Sequence, residues 1–134
     1  LTAYRDEDGV VLAKLQTVKI YDGCVKGYGD YDLGDKVLRI SAEKSDSLRC
    51  DMDKLEGCDI RNRRIGDLFK RYKGKSKSLG DYLTDIKIPR RNRESIVVLA
   101  KENEVYALPQ YEIGDIVKID GNTRRVAYIS IIKK

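Results

Sequence analysis

The chain has no histidine, no tryptophan, one phenylalanine, one methionine and two prolines in 134 residues. Without histidine there is no Ser-His or Cys-His nucleophile pair, and no side chain whose ordinary proton affinity lies near neutral pH. The sequence therefore predicts no catalysis within this segment. The three cysteines, Cys24, Cys50 and Cys58, are an odd number with no C-x-x-C pair. A structural zinc site needs four ligands, and only three of the usual nitrogen or sulfur kind are present. No metal is expected, and the thiols read as reduced, packed like small hydrophobes in a cytoplasmic setting. No apolar run approaches the roughly 20 residues that cross a bilayer, and the start Leu1-Thr2-Ala3-Tyr4-Arg5 lacks the apolar core of a signal peptide. No membrane partner is expected. The first residue is not Met, which suggests a segment of a longer protein.

Charge is abundant instead, at 37% of residues, and it is unevenly placed. Residues 61 to 93 hold 12 Lys and Arg against Asp67, Asp81 and Asp85, a net of +9 in a chain of net +5. The other 101 residues thus sum to −4. A local excess of this size sets up a positive field whose natural counterpart is a phosphate backbone. Charge runs are usually just solvated faces, but this one carries Gly and Pro punctuation and planar Arg forks as well as Lys.

The first 60 residues, with nine basic and 13 acidic side chains, read as β-structure with turns. Val10-Val11-Leu12, Val18 to Tyr21 and Val37 to Ile40 are short β-branched runs, the last following a turn-rich stretch from Gly27 to Asp35. Residues 1–56 are thus expected to form an acidic β-rich scaffold part. Residues 57–134 form the basic part, with a boundary near Gly57. The clearest helix starts at Ser78, an N-cap with Asp81 three residues on. Leu79, Tyr82, Leu83 and Ile86 then share one face, most simply as core. Pro89 should end that helix at about Ile88 and open a second short one from Arg90 to Ser95. Ile96 to Ala100 and Glu104 to Leu108 read as strands around a polar turn. Ile116 to Ile119 and Val126 to Ile132 read as a hairpin through Asp120-Gly121-Asn122. The class is α+β, antiparallel sheets with a short helical insert.

Gly74-Lys75-Ser76 resembles the end of a phosphate-binding P-loop, but Phe69 stands where the first glycine belongs and no clear buried strand precedes it. A basic loop from Lys73 to Lys77 is the simpler reading, its amides and ammonium groups able to approach phosphates. Arg61 and Arg63 would project to one side of an extended segment and grip successive phosphates, with Arg64 on the other side. The competing reading is that one of them pairs internally with Asp67 or Asp59. Of the nine tyrosines, Tyr72 is the better candidate for stacking on a base, since Tyr82 falls on the helix's apolar stripe.

Asp59-Ile60-Arg61-Asn62-Arg63-Arg64-x-Gly66-Asp67, Lys73-Gly74-x-Ser76-Lys77-x-Leu79-x-Asp81 and Asp85-x-Lys87-Ile88-Pro89-Arg90-x-x-Arg93 closely resemble, in order and spacing, the C-terminal domain of bacterial tRNA(Ile)-lysidine synthetase. Glu104 to Pro109 and Ile113 to Lys118 look like its closing strands. The likeness is strong over about residues 57 to 119. It implies a fold like a domain of phenylalanyl-tRNA synthetase and binding of the acceptor stem of the isoleucine tRNA with a CAU anticodon. The resemblance carries the tRNA-binding role onto Arg61, Arg63, Arg64, Lys73, Lys75, Lys77, Lys87, Arg90 and Arg93. ATP and lysine would be used by a catalytic domain of the same chain, whose Ser-Gly-Gly-x-Asp-Ser loop is not in this sequence. That domain and a second copy of the chain are the implied protein partners. The sequence departs from the pattern at Ile65 and Leu68, where proline and arginine are usual, at Lys70-Arg71-Tyr72, and at Gln110 and Glu112. Lys70 or Arg71 is left to supply the charge missing at Leu68. The rival readings are a generic RNA-binding module and a protein-docking module outside this enzyme.

Overall fold

The computed structural model describes residues 20–71 and 73–134. Among the described residues two sheets and one longer helix form three layers, and a single-turn helix, α1 (Met52–Leu55), follows the fourth strand. The first sheet contains β1 (Asp22–Cys24), β5 (Asp59–Arg61), β6 (Leu68–Lys70), β7 (Ser76–Ser78), β8 (Val98–Lys101), β9 (Glu104–Leu108) and β10 (Glu112–Ile113). Its spatial order is β1-β5-β8-β9-β6-β7, with β10 also paired to β9. The second sheet runs β2 (Gly29–Asp32), β3 (Lys36–Ser41), β11 (Val126–Lys133), β4 (Leu48–Asp51). Every pairing is antiparallel except β6 with β9. Strands from both sides of Gly57 share both sheets: β1 pairs with β5, and β3 and β4 flank β11.

The run Ile96-Val97-Val98-Leu99-Ala100 explains the layering. Side chains alternate along a strand, and here both faces are buried. Val97 and Leu99 join the core shared with Leu38, Ile40, Met52, Leu55 and Ile129, which lies between the sheets. Ile96, Val98 and Ala100 join Phe69, Leu79, Tyr82 and Leu83 under helix α2 (Leu79–Asp85). The Phe69 and Tyr82 rings meet edge to face at 4.7 Å, a geometry the aromatic quadrupole favours. Helix α2 begins where the cap pattern predicts, with the Ser78 side chain accepting the Asp81 N–H.

Three expectations are corrected. Ile116 to Ile119 is not a strand: Asp115–Val117 is a 3₁₀ turn that buries Val117, while Ile116 and Ile119 stay exposed. Asp120 folds the following loop on itself, accepting the Asn122 N–H at 2.8 Å while its own N–H donates to Thr123 Oγ1. β11 therefore pairs with β3 and β4 rather than with its neighbour in sequence. The turn-rich stretch after Gly27 contains β2, held opposite β3 with Asp30 and Arg39 in direct register and ion-paired at 2.9 Å. Helix α2 stops at Asp85 rather than near Ile88. Pro89 does open the second helix, α3 (Arg90–Arg93), but as its N-cap. The runs at Val10 to Leu12 and Val18 to Lys19 lie outside the described residues.

Candidate nucleic-acid interface

The basic segment is gathered around α2. Lys77 Nζ, on β7, pairs with Asp85 Oδ2 at the end of the helix. Arg93 Nε donates to the Ile88 carbonyl at 3.0 Å and its Nη2 to Thr84 Oγ1 at 3.3 Å, which fastens α3 to the same end. Arg63 Nη2 reaches Glu94 Oε1 at 3.2 Å, and Asn62 Nδ2 donates to the Glu94 carbonyl, joining the loop after β5 to α3. The Asp67 carbonyl accepts the Leu79 N–H at 2.8 Å, joining that loop to the start of α2.

Arg61 turns inward. It is 4% exposed and grips Asp67, itself 2% exposed, through Nη1 at 3.0 Å and Nη2 at 2.8 Å. The same fork donates to the carbonyls of Asn62 and Glu102. Asp67 Oδ2 also accepts the Arg64 N–H at 2.7 Å. Of the two readings that the sequence left open for Arg61, the geometry has the internal pair. A bidentate fork whose two terminal nitrogens each also reach a carbonyl is a geometric lock, since each hydrogen bond fixes the plane of the other. Here it sets the bend from Arg61 to Asp67. Arg63 does not share that inward face, and it sits half-buried against Glu94.

The exposed cations of the segment are Arg64, Lys70, Arg71, Lys73, Lys75, Lys77, Lys87, Arg90 and Arg91. No acidic partner among the described residues pairs with Arg64, Lys75, Lys87, Arg90 or Arg91, whereas Lys70 meets Asp115 at 3.3 Å and Arg71 meets Glu112 at 3.2 Å. Glu112 also receives the Tyr82 hydroxyl, and Arg71 lies 5.6 Å from the Tyr82 ring centre. Burial and the Glu112 carboxylate push the Tyr82 hydroxyl well above its ordinary value. Of the two side chains left to replace the charge missing at Leu68, both are thus already paired. Arg91 is an exposed cation that the resemblance did not single out, although its place in the Arg90-Arg91-Asn92-Arg93 run signalled it. Tyr82 is core, as its spacing predicted; Tyr72 lies outside the described residues.

Lys87 occupies an unusual backbone state, φ 64°. Its N–H donates to the Thr84 carbonyl and the Ile88 N–H to the Leu83 carbonyl, both at 3.0 Å. These are the two bonds of a Schellman motif, whose left-handed position normally holds glycine. Lys73, in the other basic loop, has φ 60°, and its N–H donates to Asp115 Oδ1 at 3.3 Å. Backbone strain of this kind concentrates at functional positions.

Known proteins resemble the chain in fold and in sequence. A crystal structure of a TilS C-terminal domain shares the fold with a TM-score of 0.57 at 16% identity, over 74% of this chain and 85% of that one. A tRNA(Ile)-lysidine synthase of Dehalococcoides mccartyi (strain CBDB1) is 42% identical over 79 residues, 57% of this chain and 17% of the relative. One from Clostridioides difficile (strain 630) is 37% identical over 84 residues, 62% and 18% respectively. The chain thus spans less than a fifth of the curated relatives it matches. The family model described as the TilS substrate C-terminal domain matches residues 58–130, more than half of the sequence, and the chain belongs to that family.

Proposed function

We propose that the chain is the tRNA-binding C-terminal region of a tRNA(Ile)-lysidine synthetase. It would hold the isoleucine tRNA with a CAU anticodon by its acceptor stem, while a catalytic domain of the same protein uses ATP to join lysine to the wobble cytidine. The segment contributes binding, and the chemistry lies elsewhere in the parent enzyme. The observation that carries this reading is the set of exposed cations without an acidic partner, Arg64, Lys75, Lys87, Arg90 and Arg91, around α2 and α3. Elsewhere in the same segment Lys70, Arg71 and Lys77 are matched by carboxylates. A stretch that matches some of its exposed charges with carboxylates and leaves five without one suits an external polyanion, and A-form RNA offers side chains mainly phosphates and a shallow minor groove.

The test is titration of the chain with the isoleucine tRNA over a range of salt. With about three to five phosphate contacts, the slope of log K against log salt is expected between about −2 and −4. Lys75→Ala and Arg90→Ala should each reduce it by about one unit while leaving the fold intact. A slope near zero, or tight binding to an acidic protein column with none to tRNA, would instead favour a protein-docking module.

A further inference from the structure

A cleft of about 440 Å³ opens beside the parallel pair β6 and β9 and the 3₁₀ turn, within the range of small-ligand sites, roughly 300–1,000 Å³. Leu68 and Ile116 give it aliphatic walls and remain 43% and 36% exposed. Ser76, Asn103 and Glu104 bring a hydroxyl, an amide and a carboxylate to its lining. On a further side, Lys70 and Asp115 face each other as an ion pair.

The position of the cleft says what would fill it. Asn103 accepts the Leu68 N–H through its backbone carbonyl at 2.8 Å and donates from Nδ2 to the Gly66 carbonyl at 3.4 Å. The cleft therefore adjoins the turn that carries Arg64 and the wholly exposed Ile65. In the other direction Ser76 stands between Lys75 and Lys77, and the Lys73 N–H is bonded to Asp115. One basic loop lies on each side of an aliphatic-walled opening. Phosphates gain nothing from Leu68 and Ile116, but the flat face of a base does, and the amide, hydroxyl and carboxylate match the donors and acceptors along its edge. The Asp115 charge is no obstacle to a polyanion, since the Lys73 N–H, Lys70 and Lys118 already compensate it.

We propose that this cleft receives one unpaired nucleobase of an RNA whose flanking phosphates rest on the Arg64 and Lys75 loops. The proposal rests on the RNA-binding reading above and adds to it a single-stranded subsite beside the surface that meets the duplex. A chain with only the basic surface would bind a blunt stem and a stem with unpaired nucleotides alike.

The experiment uses the purified 134-residue chain and two RNA hairpins with the same stem, one blunt and one ending in four unpaired 3′ nucleotides. The extension is expected to tighten binding about five- to tenfold, the gain of one stacked base. The double variant Leu68→Ala, Ile116→Ala should lose that gain and still bind the blunt hairpin as the parent does. As a check that needs no variant, the Leu68 and Ile116 methyl resonances of the unaltered chain should shift with the extended hairpin and not with the blunt one. Equal affinity for both hairpins, a gain that survives in the folded double variant, or unmoved methyl resonances would each overturn the subsite. If the blunt hairpin still binds in that event, the RNA-binding reading stands without it. Failure to bind either hairpin removes both.

Discussion

Replacing Lys87 with glycine separates a residue's backbone from its charge. Lys87 closes α2 from the left-handed region at φ 64°, where an L side chain costs about 1–2 kcal/mol through Cβ crowding. Glycine removes that cost but gives the unfolded chain more freedom, worth about 0.4–1 kcal/mol. The difference leaves Lys87→Gly more stable by about 0.5–1 kcal/mol, because both bonds of the Schellman closure are made by main-chain groups and survive. For a domain of this size the melting temperature should rise by about 2–5 °C. Over the same substitution an exposed cation disappears. Affinity for tRNA should fall and the salt slope shrink by about one unit. Thermal melting and tRNA titration on the same preparation check both halves. A drop in melting temperature would refute the account of the helix end. Unchanged affinity and slope in the stabilised protein would refute the placing of Lys87 against phosphate.

Other substitutions probe the scaffold. Arg61→Ala leaves Asp67 buried without its fork and should cost about 3–5 kcal/mol in chemical denaturation; an effect confined to RNA binding would mean that the arginine reaches the nucleic acid instead. At Gly114 an added Cβ would stand 2.9 Å from the Tyr106 carbonyl oxygen and 3.2 Å from the Phe69 ring, so Gly114→Ala should destabilise by about 1–3 kcal/mol through overpacking. Burial pushes the Cys50 and Cys58 thiols up to about 12. Alkylation near pH 8 should therefore spare both in the folded chain and modify all three cysteines in denaturant, as mass spectrometry would show. Because those two values are raised on folding, their contribution to stability is complete below the ordinary thiol range and should be lost as pH climbs from about 9 toward 12. Flat stability across that window would contradict their burial.

Helix α2 was readable because its evidence is local: a cap at Ser78 and a stripe from Leu79 to Ile86 within nine residues. The double-faced burial of Val97 to Ala100 was also latent in an unbroken apolar run. The second sheet was harder, since β11 pairs with strands some 75 to 97 residues earlier in the chain, and no short-range pattern encodes such distances. Gly29 to Asp32 has the composition of a turn and becomes a strand only because β3 lies alongside. Ile116 to Ile119 carries strand-like residues, yet only Val117 reaches a core. Within the candidate site, the motif residues and their spacing were legible. Which of the charges point outward was not, because strand alternation puts Arg61 and Arg63 together and the buried Asp67 draws Arg61 in.

The last strand of the described structure is an interior strand of the second sheet. β11 separates β3 from β4, and those two have no other connection within that sheet. During synthesis the β2–β3 hairpin and β4 emerge roughly 75 residues before their common partner, and at about 5–20 residues per second they wait several seconds with unpaired edges. The basic loops and α2 leave the ribosome in that interval, while the core between the sheets still lacks Ala127 and Ile129. Order of manufacture and order of layers are thus opposed in this chain, since the inter-sheet core is not complete until residues 126 to 133 have been made.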